Sequence, residues 1–266
     1  MSLNSKPRAS GLLADLRDKP PTSSAGTAVF ALGRIADAPL QYLMFSEGWA
    51  VKALTSVGLR ASNILVRAGP GVGGLGPIPT LLVGMYSVAS LRHAYYALCT
   101  KTYNYPPSTS LSVVTFSSAT NTVTTLLAVH ALTSSPYPIL GSFTDCIGWK
   151  QWVGVGLFSV GIVMELVAEE GRKAFKKNPK NVGKVYDQGL WSLVRHPNYL
   201  GFNLWRAGIA LATGSLAATA ILSALQLSVF YTTSIPELSD WMARKYGSQW
   251  TEYTQRVQYA LIPGLW

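Results

Sequence analysis

Acidic residues are scarce in this chain. Asp and Glu total 12 against 22 Lys and Arg in 266 residues, a net charge of +10, and the four types together make up only 13%. Hydrophobic residues make up 48% and mean hydropathy is positive; with so little charge, this excludes an ordinary soluble domain and reads as a membrane protein. Cysteine is also nearly absent. Cys99 and Cys146 fall near opposite ends of predicted spans, so they are not expected to pair, and neither sits in a metal-ligand pattern, so no metal is expected. The first 26 residues are polar and lack the apolar core of a signal peptide. No internal repeat or heptad is visible.

Long apolar windows are present. Spanning the hydrocarbon core as a helix takes roughly 20 apolar residues, and Ile78 to Cys99, Leu111 to Leu132 and Ile147 to Ala168 qualify. Tyr199 to Thr233 is too long for one span and carries Gly214 near its middle, which predicts two shorter helices joined by a tight turn. Thr27 to Phe45 and Trp49 to Val66 are interrupted by Arg34, Asp37, Lys52 and Arg60. They are either spans whose polar residues face inward or helices lying in the interface. The expected fold is all-α and polytopic, with about five to seven transmembrane helices. It divides into a polar tail (1–26), N-terminal membrane helices on the substrate side (27–146) and a C-terminal membrane domain holding a cofactor site (147–266).

The positive charge is concentrated. Arg172, Lys173, Lys176, Lys177, Lys180 and Lys184 share one loop region, and the inside-positive rule puts 169–197 on the cytosolic side. A helical hairpin then returns the C-terminus, with Arg244, Lys245 and Arg256, to that side. Charge tied to membrane-flanking loops without a recognition motif argues against nucleic acid and for anionic lipid headgroups. The segment "GVGGLG", Gly71 to Gly76, spells a dinucleotide fingerprint but lacks the strand before it that would make one, and prolines surround it. It reads as a loop.

Three stretches can carry chemistry. In "ELVAEEGRKAFKK", Glu165, Glu169, Lys173 and Lys176 fall on one helical stripe, suited either to a nucleotide's hydroxyls and phosphates or to i,i+4 ion pairs such as Glu169 with Lys173. Glu165 lies inside the apolar window, where an acid is costly. In "DQGLWSLVRHPNYLGFNLW", Pro197 opens a helix, Trp191, Arg195 and His196 stand just before it, and Asn198 and Tyr199 occupy its first turn. A helix N-terminus favours anions, although the same residues suit a headgroup-level belt. In "KYGSQWTEYTQRV", Tyr246, Trp250 and Tyr253 share a helical face continued by Arg256.

From Glu165 to Pro263 these residues resemble the C-terminal domain of the membrane steroid 5α-reductase and sterol C14-reductase superfamily, closest to its short uncharacterised branch. The resemblance implies NADPH bound from the cytosolic side and reduction of a polarised carbon–carbon double bond in a lipophilic substrate such as a sterol, terpenoid, polyketide or fatty enone. By position, Glu165, Glu169, Lys173 and Lys176 correspond to the polar stripe at the cofactor. Arg195, His196, Asn198 and Tyr199 correspond to the segment lining the nicotinamide end, Trp191 counts among the cofactor-binding residues, and Tyr246, Tyr253 and Arg256 belong to a closing tail. His93, Tyr95 and Tyr96, at the end of a span, are the candidates for proton donation. Phe202 stands where the superfamily usually has an acid. The endoplasmic reticulum follows as the expected location. Two alternatives are an S-adenosylmethionine-dependent methyltransferase of the isoprenylcysteine type, whose relatives share the Arg-His-Pro-x-Tyr step, and a non-catalytic membrane binding protein. The oligomeric state is not encoded in any visible pattern.

Overall fold

The computed structural model describes residues 23–101, 104–134 and 141–265, so most of the polar tail lies outside the described residues. The described residues are helical, with no strand among them. Helix α1 (Ala25–Ser46) is followed by two short helices, α2 (Trp49–Ser56) and α3 (Asn63–Arg67). Helix α4 (Pro77–Tyr95) runs into a π-helical turn (Tyr96–Thr100), and α5 (Pro107–Ser134) and α6 (Trp149–Lys177) are long. Helix α7 (Pro197–Ala212) turns into α8 (Leu216–Val229), and α9 (Ile235–Tyr246) and α10 (Ser248–Arg256) close the chain.

Polarity is turned inside out. Val88, Leu91, Phe116, Trp152, Val160, Val163, Val167, Ile221 and Leu225 are exposed, whereas Arg34, Asp37, Gln41, Asn121, Glu165 and Arg206 are buried. An apolar exterior around a polar interior suits lipid as solvent. Among the described residues, two helical stretches, Trp149–Lys177 and Leu216–Tyr246, are long and apolar enough to cross a membrane. Of the two readings of the first window, the inward-facing one is observed: Arg34, Asp37 and Gln41 point into the bundle.

The most extensive helix pairing is α6 with α7, and glycine makes it. A Cβ on Gly161 would lie 2.4 Å from the Trp205 backbone nitrogen, and one on Gly208 would lie 2.5 Å from the Gly154 carbonyl oxygen. Gly154 and Gly161 on α6 therefore face Gly208 and Gly201 on α7 at backbone contact distance, as small residues allow between membrane helices. This seam carries Glu165 and Glu169 up to the start of α7.

The expected turn at Gly214 is present, with φ 93° between α7 and α8. "GVGGLG" is a loop whose Gly73 carbonyl accepts a hydrogen bond from Tyr42 Oη (2.9 Å). Neither Cys99 nor Cys146 is joined in a disulfide. Two expectations are corrected. Trp49 to Val66 is no single helix but α2, a break and α3, with Lys52 and Arg60 exposed. The tail is two helices, because Gly247 adopts φ 55° between α9 and α10, a left-handed position that favours glycine.

Candidate functional site

At one end of the bundle, three stretches far apart in sequence meet. Asn198 Nδ2, in the first turn of α7, donates to Glu169 Oε1 on α6 at 2.8 Å. Trp191 Nε1 donates to the Ala168 carbonyl (3.0 Å), and Tyr253 Oη on α10 donates to the Trp191 carbonyl (2.7 Å). Trp191 thus clamps α6 to the tail. Backbone N–H groups of Arg195 and His196 donate to the carbonyls of Tyr259 and Ala260 (2.9 and 3.0 Å), which pins the segment before α7 against the last residues. Pro197 opens α7 as expected, and the buried His196 ring stacks on Tyr199 at 5.4 Å and 16°.

The electrostatics of this rim are specific. Glu169 is only 4% exposed, and Arg172 Nη2 donates to its second oxygen at 2.5 Å. Arg195 carries a buried Nε without a hydrogen-bond partner, and burial holds its guanidinium below the ordinary arginine range. Burial pushes the Tyr253 hydroxyl above the ordinary tyrosine range, with Asp187 adding to the effect, so it stays a protonated donor.

The expected acid–base stripe divides. Glu169 pairs with Arg172 rather than Lys173, and Lys173 pairs with Glu170 (3.3 Å). Lys176 Nζ donates to Tyr246 Oη at 3.0 Å and to the Lys184 carbonyl. Arg256 is exposed and paired with Asp187. Glu165 points deeper into the bundle. It accepts from Trp205 Nε1 (2.8 Å), with Arg92 Nη2 at 3.9 Å and His93 Nε2 at 3.8 Å from its other oxygen. His93 is buried and stacked on Phe202 (6.1 Å, 9°), whereas Tyr95 is exposed and Tyr96 lies under the Arg92 guanidinium. His93 therefore joins Glu165, and the two tyrosines do not converge on it.

A second polar centre was read from sequence only in part, through Arg34 and Asp37; its partners were missed. Asp37 accepts from Asn121 Nδ2 (2.5 Å) and Gln41 Nε2 (3.1 Å), Arg34 stands 3.5 Å from it, and Arg206 Nη1 donates to Asn121 Oδ1 (2.7 Å). The available signal was the one that marked Glu165: ionisable or amide side chains inside apolar runs, here Arg92, Asn121 and Arg206. Among the described residues no cluster of metal-ligating side chains occurs.

Comparison with known proteins fits this architecture. The profile of a family described as "Protein of unknown function (DUF1295)" matches residues 93–257. The probable O-methyltransferase ustE of Ustilaginoidea virens is 30% identical over 233 residues, 84% of this chain and 80% of that protein. A probable 7-dehydrocholesterol reductase of Acanthamoeba polyphaga mimivirus is 31% identical over 83 residues, 31% of this chain but 19% of that protein. Among solved structures, the eukaryotic intramembrane Ras methyltransferase, an isoprenylcysteine carboxyl methyltransferase, superposes with TM-score 0.55 over 92% of this chain and 98% of its own, at 14% identity. That likeness shows a shared fold. Sterol reductases and isoprenylcysteine methyltransferases are both relatives, in agreement with the resemblance carried by residues 165–263.

Proposed function

The chain belongs to the DUF1295 family, and from that membership and the charge at the rim we propose that it is a membrane O-methyltransferase of a lipophilic substrate, with S-adenosylmethionine as methyl donor. The observation that carries this reading is how the rim spends its charges. Lys173 and Lys176, the cations a nucleotide phosphate would need, are engaged by Glu170, Tyr246 and the Lys184 carbonyl; the buried acid Glu169 accepts from Asn198 and Arg172, and an ammonium would share its oxygens with them through their second lone pairs. A buried carboxylate bonded to Asn198, three residues along the chain from Arg195 with its open Nε, fits a ligand carrying both an ammonium and a carboxylate. The relative that covers most of the chain is a probable O-methyltransferase, which supports the same reading.

In this reading Glu169 takes the ammonium, Arg195 the carboxylate, and the stacked His196–Tyr199 pair forms an aromatic wall. When bound, the cofactor would supply a sulfonium methyl group for a deprotonated substrate oxygen, the S–CH3 bond breaking as the O–CH3 bond forms and the sulfur leaving as a neutral thioether. Trp191 and Tyr253 keep the tail closed over the rim and exclude water. Six helices, α1 and α4 to α8, cross the membrane in this reading. The basic segment 169–197 and the C-terminus face the cytosol from the endoplasmic reticulum, and the N-terminal helices (27–146) line the substrate side.

A second reading, NADPH-dependent reduction of a carbon–carbon double bond, is favoured by the sterol reductase relatives and by the buried Glu165–His93 pair, which brings a proton carrier into the bundle. Melting of the detergent-purified protein with each cofactor separates the two. Stabilisation by S-adenosylmethionine that disappears in Arg195→Ala and Asn198→Ala is expected. Stabilisation by NADPH alone would overturn the methyl-transfer reading in favour of the reductase.

A further inference from the structure

A cleft of about 250 Å³ lies deeper in the bundle, between α5, α7 and α8. Phe116, Leu225 and Val229, all on the apolar exterior, stand at its mouth, so it opens where lipid would lie. Its inner wall carries three residues with buried polar atoms that have no hydrogen-bond partner: Arg206 Nε and Nη2, Asn203 Oδ1 and Ser223 Oγ. A buried unpaired polar atom is costly, and four on one cleft wall indicate a ligand.

The atoms left open specify its chemistry. Arg206 is 8% exposed, its Nη1 is committed to Asn121, and among the described residues no carboxylate stands within ion-pair distance of it. Its open Nε and Nη2 form the side-on edge of the guanidinium, the edge that matches the two oxygens of a carboxylate. Asn203 Nδ2 donates to the Tyr199 carbonyl (2.8 Å), which fixes the amide orientation and leaves Oδ1 as an acceptor seeking a donor. Ser223 supplies a hydroxyl. The Phe202 and Trp205 ring centroids lie 5.5 and 4.5 Å from the Arg206 guanidinium carbon, contacts that leave its open N–H groups unbonded.

We propose that this cleft binds a lipophilic hydroxy-carboxylate that enters from the bilayer, its acid on the open edge of Arg206 and its hydroxyl on Asn203 Oδ1. Asn198, Phe202 and Arg206 are successive fours on α7, one stripe in which Arg206 lies about 12 Å beyond Asn198. The acid is therefore a recognition group, anchored away from the rim. Calling this ligand the substrate rests on the methyl-transfer reading; the binding does not.

The test uses the detergent-purified full chain and a fluorescent hydroxynaphthoic acid whose hydroxyl stands meta to its carboxylate, where it cannot bond to it internally. Saturable binding is expected, weakened about tenfold or more in Arg206→Gln and for the neutral methyl ester of the same probe, as loss of a charge-assisted bidentate contact predicts. Ala207→Phe, which fills the cleft without touching the Arg206–Asn121 bond, should also remove it, and decides the matter if Arg206→Gln does not fold. Equal binding of acid and ester, or binding unchanged by Ala207→Phe, would overturn the proposal. Retained S-adenosylmethionine stabilisation in these variants separates the cleft from the rim: arginine-dependent probe binding in a protein that ignores S-adenosylmethionine leaves the anion site standing and removes the methyl-transfer reading.

Discussion

Asn198 and Glu169, 29 residues apart in the chain, join the first turn of α7 to the last third of α6 through a 2.8 Å hydrogen bond. Neither residue interrupts its helix, and both depend on how close the two helices lie.

Glu169→Gln keeps the shape and removes the charge. Binding of S-adenosylmethionine should weaken about tenfold or more, since a charge-assisted bond to an ammonium is lost. Calorimetric titration of the purified variant measures this, and unchanged affinity would remove Glu169 from the site.

Tyr253→Phe leaves the Trp191 carbonyl without its 2.7 Å donor. The cost should be about 1–3 kcal/mol, read as a lower melting temperature. A pH effect accompanies it. Because folding favours the protonated hydroxyl, its contribution is complete below the unfolded tyrosine pKa of about 10 and is lost as pH rises from there toward the higher native value. The wild type should lose stability over that alkaline window and the phenylalanine variant should lose less.

Gly161→Ala places a methyl group 2.4 Å from the Trp205 backbone. No side-chain rotation relieves a backbone clash, so α6 and α7 must separate, at a cost of about 1–3 kcal/mol or more. Cofactor-induced stabilisation should fall along with the melting temperature, because Asn198 moves away from Glu169. Gly156→Ala, where the same added atom meets nothing within 4 Å, is the matched control and should be near neutral.

Cys99 is exposed and Cys146 is 2% exposed. A maleimide should label a single thiol in the folded protein and two after denaturation. Labelling of Cys146 in the folded Cys99→Ala variant would contradict its burial.

Much of the architecture was legible because lipid-facing helices announce themselves by length. Glycine between α7 and α8 and proline at the start of α7 are local signals with local causes, and both read correctly. The rim residues were also legible, since Glu169, Trp191, Asn198 and Tyr253 stand in contiguous motifs. Their partners were not. Spacing alone allowed Glu169 to pair with Lys173, but the burial of Glu169 and the reach of Arg172 decided otherwise. The break at Gly247 was hidden because the apolar face continues across it. Arg206 was passed over as a single charge in a long run; its meaning depends on Asn121, which sits on another helix.

The glycine pairs of the α6–α7 seam recur at seven-residue intervals on both helices, 154 with 208 and 161 with 201. Each helix residue turns the chain about 100°, so inserting or deleting even one between the pairs would swing one glycine out of the seam and a side chain in. These two helices are thus fixed in length by their own packing. Sequence drift in this protein's lineage is free to change their outer faces and the loops that join them, but not the number of residues between the glycines.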